Sequence, residues 1–148
     1  MLNRRKIRCG ALAGILLAAL VFSGCGKKGD PVPPRLSLPP AMAGLSARSV
    51  AEGVLLSWTA SGPVERIDHF RIMRSEAAAD AACPGCPQDY RPFETLKLTA
   101  PALGRQGEKG FAFLDGTVSS GRYYSWRVAA CDARGRCAEP SAPAGLFK

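Results

Sequence analysis

The chain has 148 residues, 47% of them hydrophobic and 22% charged, a length that suits one folded domain preceded by a processed leader. Its formal charge of +8 overstates the basicity of the folded part, because Arg4, Arg5, Lys6 and Arg8 sit in the leader and the remainder holds 16 basic against 12 acidic residues. With so mild a balance, and no basic run interleaved with aromatics, nucleic-acid binding is set aside.

The leader opens with the positive stretch Arg4-Arg5-Lys6-Ile7-Arg8, and Cys9 to Phe22 follows as a nearly uncharged run of small residues and leucines. The run is too short to span a bilayer comfortably and reads as a secretory core rather than a transmembrane helix. It ends in Val21-Phe22-Ser23-Gly24-Cys25. That ending resembles the lipobox of bacterial lipoproteins, with Phe22 standing where leucine is commoner. The resemblance implies diacylglyceryl transfer to the Cys25 thiol, cleavage before it and acylation of its new amine. Each buried methylene contributes about 0.8 kcal/mol, so two or three acyl chains hold a protein on a membrane where one is marginal. Gly26 occupies the place where, in enteric lipoproteins, aspartate retains the protein at the inner membrane. The expected location is therefore the outer membrane, lipid-anchored and facing the periplasm.

Residues 25–40 form the lipidated cysteine and a linker. Gly26 to Pro40 holds five prolines and two glycines without strand or helix periodicity, which favours a semi-rigid polyproline II spacer reaching about 40 Å. Within it, Cys25-Gly26-Lys27-Lys28-Gly29 with Pro31, Pro33 and Pro34 resembles the start of the small outer-membrane lipoproteins associated with the lipopolysaccharide translocon. Asp30 departs from that pattern.

From residue 41 to 148 the pattern is that of strands. Met42 to Arg48 is a weak first strand, and Val54, Leu56 and Trp58 alternate inward on a strong second one, which Gly62-Pro63 ends. His69 to Arg74 is a third strand with Phe70 and Ile72 on one face and His69 on the other. The stretch from Ser75 to Arg91 is longer than a usual connection; Ser75 is expected to cap one or two helical turns running to Ala82, since alanine is the best helix former and Pro84 stops the run. A fourth strand alternates Phe93, Thr95 and Lys97 against Glu94, Leu96 and Leu98. Pro101 to Gly110 reads as a turn, Phe111 to Leu114 as a fifth strand and Asp115-Gly116 as a bend.

Tyr124, Trp126, Val128 and Ala130 then fall on one face of a half-buried strand, with Ser125, Arg127, Ala129 and Cys131 on the other. Asp132 to Gly135 supplies a turn, and Ala142 to Phe147 closes the last strand. Val118-Ser119-Ser120-Gly121 followed by Tyr124 has the spacing of a tyrosine corner. Together Val118, Gly121, Tyr124, Trp126, Val128, Ala130, Asp132, Gly135, Pro140 and Ser141 resemble the last third of a fibronectin type III domain. The resemblance covers roughly residues 40 to 147 and implies an all-β, seven-stranded antiparallel sandwich. It also implies that Trp58, at the end of the second strand, anchors the core.

Six cysteines are present. Cys9 leaves with the leader and Cys25 carries lipid, so Cys83, Cys86, Cys131 and Cys137 remain in an oxidising compartment where an even number favours disulfides. Three pairings are open; Cys131 with Cys137 is favoured because the two flank the Asp132 to Arg136 turn. Cys83-Pro84-Gly85-Cys86 admits three chemistries: a short structural disulfide, a thioredoxin-like redox pair, or half of a zinc site with Cys131 and Cys137.

No Ser-His-Asp set, paired-carboxylate motif, phosphate loop or histidine cluster is visible in the sequence, and His69 is the single histidine. The expectation is a non-enzymatic protein-binding or scaffolding lipoprotein, without cofactor, metal or evident small-molecule substrate. Its partners would be the membrane, through Cys25, and an unidentified envelope protein met by the loop from Cys83 to Tyr90 or by an exposed sheet edge. Two alternatives are an assistant of a lipopolysaccharide assembly machine acting through anchor and stalk, and a periplasmic thiol-disulfide oxidoreductase using Cys83 and Cys86.

Overall fold

A computed structural model of the chain describes residues 37–148, so the leader, Cys25 and most of the linker lie outside the described residues. The described residues form eight strands: β1 (Met42–Val50), β2 (Gly53–Ala60), β3 (His69–Ala78), β4 (Arg91–Lys97), β5 (Gly104–Gln106), β6 (Gly110–Asp115), β7 (Arg122–Cys131) and β8 (Ala144–Phe147), with one short 3-10 turn at Val64–Arg66. They make two four-stranded antiparallel sheets, in the orders β1-β2-β6-β5 and β4-β3-β7-β8. The molecule is an all-β sandwich.

Period-2 alternation builds the core between the sheets. β2 contributes Val54, Leu56 and Trp58, β6 contributes Phe111 and Phe113, β3 contributes Phe70 and Ile72, and β7 contributes Tyr124, Trp126, Val128 and Ala130. Phe70 meets Trp58 edge-on at 5.4 Å and Phe111 at 4.6 Å between centroids, a cross-sheet aromatic cluster. Trp58, Tyr124, Trp126 and Val128, the four residues singled out for the core, are all buried. The tyrosine corner is present: the Ser119 N–H donates to Tyr124 Oη at 3.0 Å. His69 lies opposite Phe70 and binds Asp68 Oδ2 through Nδ1 at 2.9 Å.

Four expectations need correction. The strands number eight, because the stretch read as a turn contains β5, paired with β6 from Gly104↔Ala112 to Gln106↔Gly110. Glycines make that tight hairpin feasible: Gly107 has φ of 68°, and a Cβ on Gly110 would fall 2.2 Å from the Gln106 carbonyl oxygen. The helical turns expected from Ser75 to Ala82 are absent, since β3 continues to Ala78 and its ladder with β7 runs out to Ala78↔Arg122. Interstrand pairing there overrides alanine's helical preference.

In β4 the alternation is broken by one extra residue. Ile72 pairs with Glu94 and Met73 with Pro92, so Phe93 is bulged, and both Phe93 and Leu96 reach the core from positions three apart. Finally, β7 is not half-buried: Ser125, Ala129 and Cys131 on its outer face are buried too. At the other end of the domain Pro39 is buried and Arg66 Nη2 donates to the Leu38 carbonyl, so the last residues of the proline-rich stretch pack onto the sandwich.

Truncating Trp58 to alanine is expected to lower unfolding free energy by about 3–5 kcal/mol through the cavity it leaves. Urea denaturation of wild type and Trp58→Ala would measure this; a loss under about 1 kcal/mol would mean that the indole is not the anchor of the core.

Candidate functional site

One buried carboxylate holds the two sheets in register beneath the candidate surface. Asp115 ends β6 with its side chain wholly out of solvent. Its Oδ2 accepts from Arg74 Nη1 on β3 at 3.0 Å and from Trp126 Nε1 on β7 at 3.1 Å, while Oδ1 accepts from the Thr117 N–H at 3.0 Å and the Thr117 hydroxyl at 2.8 Å. Arg74 also donates to Thr117 Oγ1 at 2.7 Å, and its guanidinium lies 4.1 Å over the Phe93 ring. Leaving water is costly for a carboxylate, and four donors with a stacked arginine offset that cost. Gly53 completes the arrangement, because a Cβ there would sit 2.2 Å from the Asp115 carbonyl oxygen.

On the outer face of the β4-β3-β7-β8 sheet lies the cysteine-bearing loop. The chain leaves β3 at Ala78 and turns at Cys83–Cys86, where a disulfide closes a turn whose Cys86 N–H donates to the Cys83 carbonyl at 3.1 Å. Gln88 braces that turn from within, donating through Nε2 to the Cys83 carbonyl at 2.7 Å and the Cys86 carbonyl at 3.0 Å. The Ser75 hydroxyl approaches Gln88 Oε1 at 3.4 Å, and Tyr90 Oη meets Ser125 Oγ at 2.8 Å. These contacts lay the loop against β7 and bury the outer-face Ser125.

Between the loop and strands β7 and β8 a cavity of about 190 Å³ remains, lined by Pro84, Pro87, Tyr90, Tyr123, Arg127 and Pro143 among others. The Arg127 guanidinium lies 4.8 Å over the Tyr90 ring. Tyr123 packs against Phe147 at 4.9 Å, and its hydroxyl occupies space that a Cβ on Gly145 would invade at 2.2 Å. Phe147 is 55% exposed and extends an apolar rim.

The second disulfide joins Cys131 to Cys137 across the hairpin turn, with Cα atoms 4.0 Å apart. Inside that turn Asp132 Oδ1 accepts from the Arg134 and Arg136 N–H groups, each at 2.9 Å, and Oδ2 from Arg136 Nε at 2.8 Å. Desolvation opposes ionisation of this carboxyl, but the Arg136 N–H, the Arg136 guanidinium and the Arg134 N–H outweigh it and hold its pKa below the ordinary value.

The favoured cysteine pairing is therefore present, and both disulfides are formed. All four thiols being used in sulfur–sulfur bonds, the zinc half-site expectation does not hold for this state. Cys25 lies outside the described residues. The loop from Cys83 to Tyr90, expected to meet a partner, walls a cavity, and the sequence does not single out Tyr123, Arg127 and Gly145, which shape it. Alternation did assign Arg127 to the outer face of β7; nothing local linked it to Tyr90, 37 positions earlier. The Arg74–Asp115 pair was missed for a similar reason, since Asp115 before Gly116 carries an ordinary turn signal.

No protein-family model and no curated protein matches the chain. Among solved structures, pectate lyase Pel3 from Pectobacterium carotovorum is similar over 72% of this chain at 15% identity and a TM-score of 0.46. The chain spans 27% of that structure's length, and a likeness at this level carries no functional argument.

Two outcomes follow from the carboxylates. Asp115→Ala leaves Trp126 Nε1 without its acceptor and takes from Arg74 its buried carboxylate, leaving it Thr117 and Glu76. The change is expected to cost about 3–5 kcal/mol in chemical denaturation, whereas a surface-like loss under about 1 kcal/mol would show the network to be dispensable. For Asp132, a folded pKa below the unfolded one gives stabilisation that is present above the ordinary value of 3.8 and lost as pH falls through the lowered folded value. The stability difference between wild type and Asp132→Asn should hence be flat near neutral pH and shrink on acidification below about pH 4; a difference that grows in acid would reverse the sign argued.

Proposed function

We propose that the protein is a lipoprotein anchored through Cys25 at the periplasmic face of the outer membrane, whose fibronectin type III-like sandwich serves as a non-enzymatic protein-binding or scaffolding module. The observation that carries this reading is Val21-Phe22-Ser23-Gly24-Cys25 at the end of a basic and then apolar leader. The two disulfides agree with an oxidising compartment. Support for the type III assignment comes from the pairing of β2 with β6 and of β3 with β7, and from the tyrosine corner at Tyr124. The binding role draws on an aromatic and proline-lined surface braced by the Cys83–Cys86 loop.

The oxidoreductase alternative is disfavoured by where its cysteines sit. A redox-active first cysteine draws its low pKa from a helix N-terminus, and Cys83 instead opens a turn whose carbonyls are tied up by Gln88. The translocon-assistant alternative rests on Cys25-Gly26-Lys27-Lys28-Gly29 and the prolines after it. Replacing residues 26–34 by a Gly/Ser linker separates it from the spacer reading, since only the assistant loses its phenotype.

Cys25→Ala, exported through a cleavable signal, is expected to leave the membrane fraction and appear in the soluble periplasm. Retention in washed outer membranes would overturn the anchor. Cross-linking of full-length protein in intact cells should capture envelope proteins whose yield falls when the lipid is removed.

A further inference from the structure

We infer that the cavity between the Cys83–Cys86 loop and strands β7 and β8 is the anchor point for one acidic side chain, presented by an extended, proline- or aromatic-flanked segment of a partner protein. This deepens the reading of the sandwich as a protein-binding module and rests on it.

Charge is the first argument. Arg127 Nε is buried without an acceptor among the described residues, and no carboxylate there pairs with its guanidinium. Arg48, Arg66, Arg71, Arg105 and Arg134 also lack an acidic partner among the described residues, and Arg127 differs from them in lining this cavity with a buried, unsatisfied Nε. No acidic residue lines the cavity, and the partner its arginine has is the Tyr90 ring, 4.8 Å from the guanidinium, rather than a carboxylate. The buried Nε–H left unpaired carries a desolvation cost, and a carboxylate that took two parallel bonds from the planar fork of Arg127, through Nε and one terminal nitrogen, would relieve it.

Size decides between a metabolite and a side chain. Sites for small molecules run from about 300 to 1,000 Å³, and this cavity is about 190 Å³. It accepts one side chain while the rest of the partner lies across the rim. That rim is Pro84, Pro87, Tyr90 and Pro143, with Tyr123 and the exposed Phe147 continuing it along β8. Tyr and Arg are the residues enriched where binding energy concentrates, and prolines or aromatics of a partner pack against such rims.

The cavity is also preformed. Its floor is strand β7, its wall is a loop closed by a disulfide and braced by Gln88, and its depth depends on Gly145 having no side chain beneath the Tyr123 hydroxyl. Preorganisation spares the ordering cost of binding.

The test uses the full chain in detergent micelles, nitrogen-15 labelled, with the Arg127 Nε–H signal as reporter. Probes are the blocked tetrapeptide acetyl-Pro-Glu-Phe-Pro-amide, its glutamine counterpart and sodium acetate. The glutamate peptide should shift the Arg127 signal and bind tighter than the glutamine peptide by about tenfold or more, as a charge-assisted pair implies. Arg127→Gln should bring both peptides to the same weak level, Arg127→Lys should fall between, and Gly145→Ala should weaken both by crowding Tyr123. Equal affinity for the two peptides, or a glutamate preference that survives Arg127→Gln, overturns the assignment whatever the chain captures in cells. Acetate binding as tightly as the glutamate peptide overturns the protein partner in favour of a free-anion site. An intact glutamate preference beside an empty capture from cells supports the cavity and counts against the module reading alone.

Discussion

The removal of one carboxylate from water sets the terms for the rest of the sandwich. Asp115 sits at the end of β6, in one sheet, yet two of its donors, Arg74 and Trp126, belong to the other. Hydrophobic contact between sheets is tolerant of small slides, because apolar area is non-directional. Hydrogen bonds to a buried charge are directional and short, and a slide of one sheet over the other would carry Arg74 and Trp126 out of reach of Asp115. The aromatic core thus supplies most of the cohesion, and the carboxylate selects one arrangement from those the core would accept. Gly53 belongs to the same constraint, since it lets the β1–β2 turn close over the Asp115 backbone.

From that fixed frame the outer surface inherits its order. β3 and β7 are both tied to Asp115 through their inward side chains, so their outward side chains, Ser75, Ser125 and Arg127, are held at set positions as well. The cysteine loop then has a defined surface to settle on, and Ser75 to Gln88 and Ser125 to Tyr90 are the points of attachment. A strand in an antiparallel sandwich ordinarily keeps one face wet. Here the loop covers that face along part of β7, which converts a solvent face into the floor of a cavity.

What the sequence disclosed follows from the range of each interaction. Alternation over Val54, Leu56 and Trp58, and over Tyr124 to Ala130, exposes which residues face inward because the period is local. The Cys131–Cys137 bond was legible since a turn of known chemistry lies between the two. Phe93 was not, because a bulge inserts one residue without any compositional mark. β5 was hidden by its length of three residues, and the extension of β3 through alanines by a ladder whose partner lies about 45 positions later. The cavity was out of reach altogether: it needs Tyr90, Tyr123, Arg127 and Gly145 to converge from three elements, and only the folded backbone brings them together.

Lys148 gives the sandwich a further property. Its ammonium spans from the end of β8 to the first sheet, donating to the Val50 carbonyl and Ser49 hydroxyl at 3.0 Å and the Gly53 carbonyl at 3.2 Å. One open seam between the sheets is thereby clipped by a charge. On the opposite side the edge strands are β5, only three residues long, and β4, which carries Pro92 and the bulge at Phe93. Short, charged, proline-bearing and bulged edges are poor templates for an added strand. Along this side of the sandwich, molecules crowded next to one another have little means of fusing into continuous ribbons, and the longer edge strand β1 lies on the side that Lys148 clips.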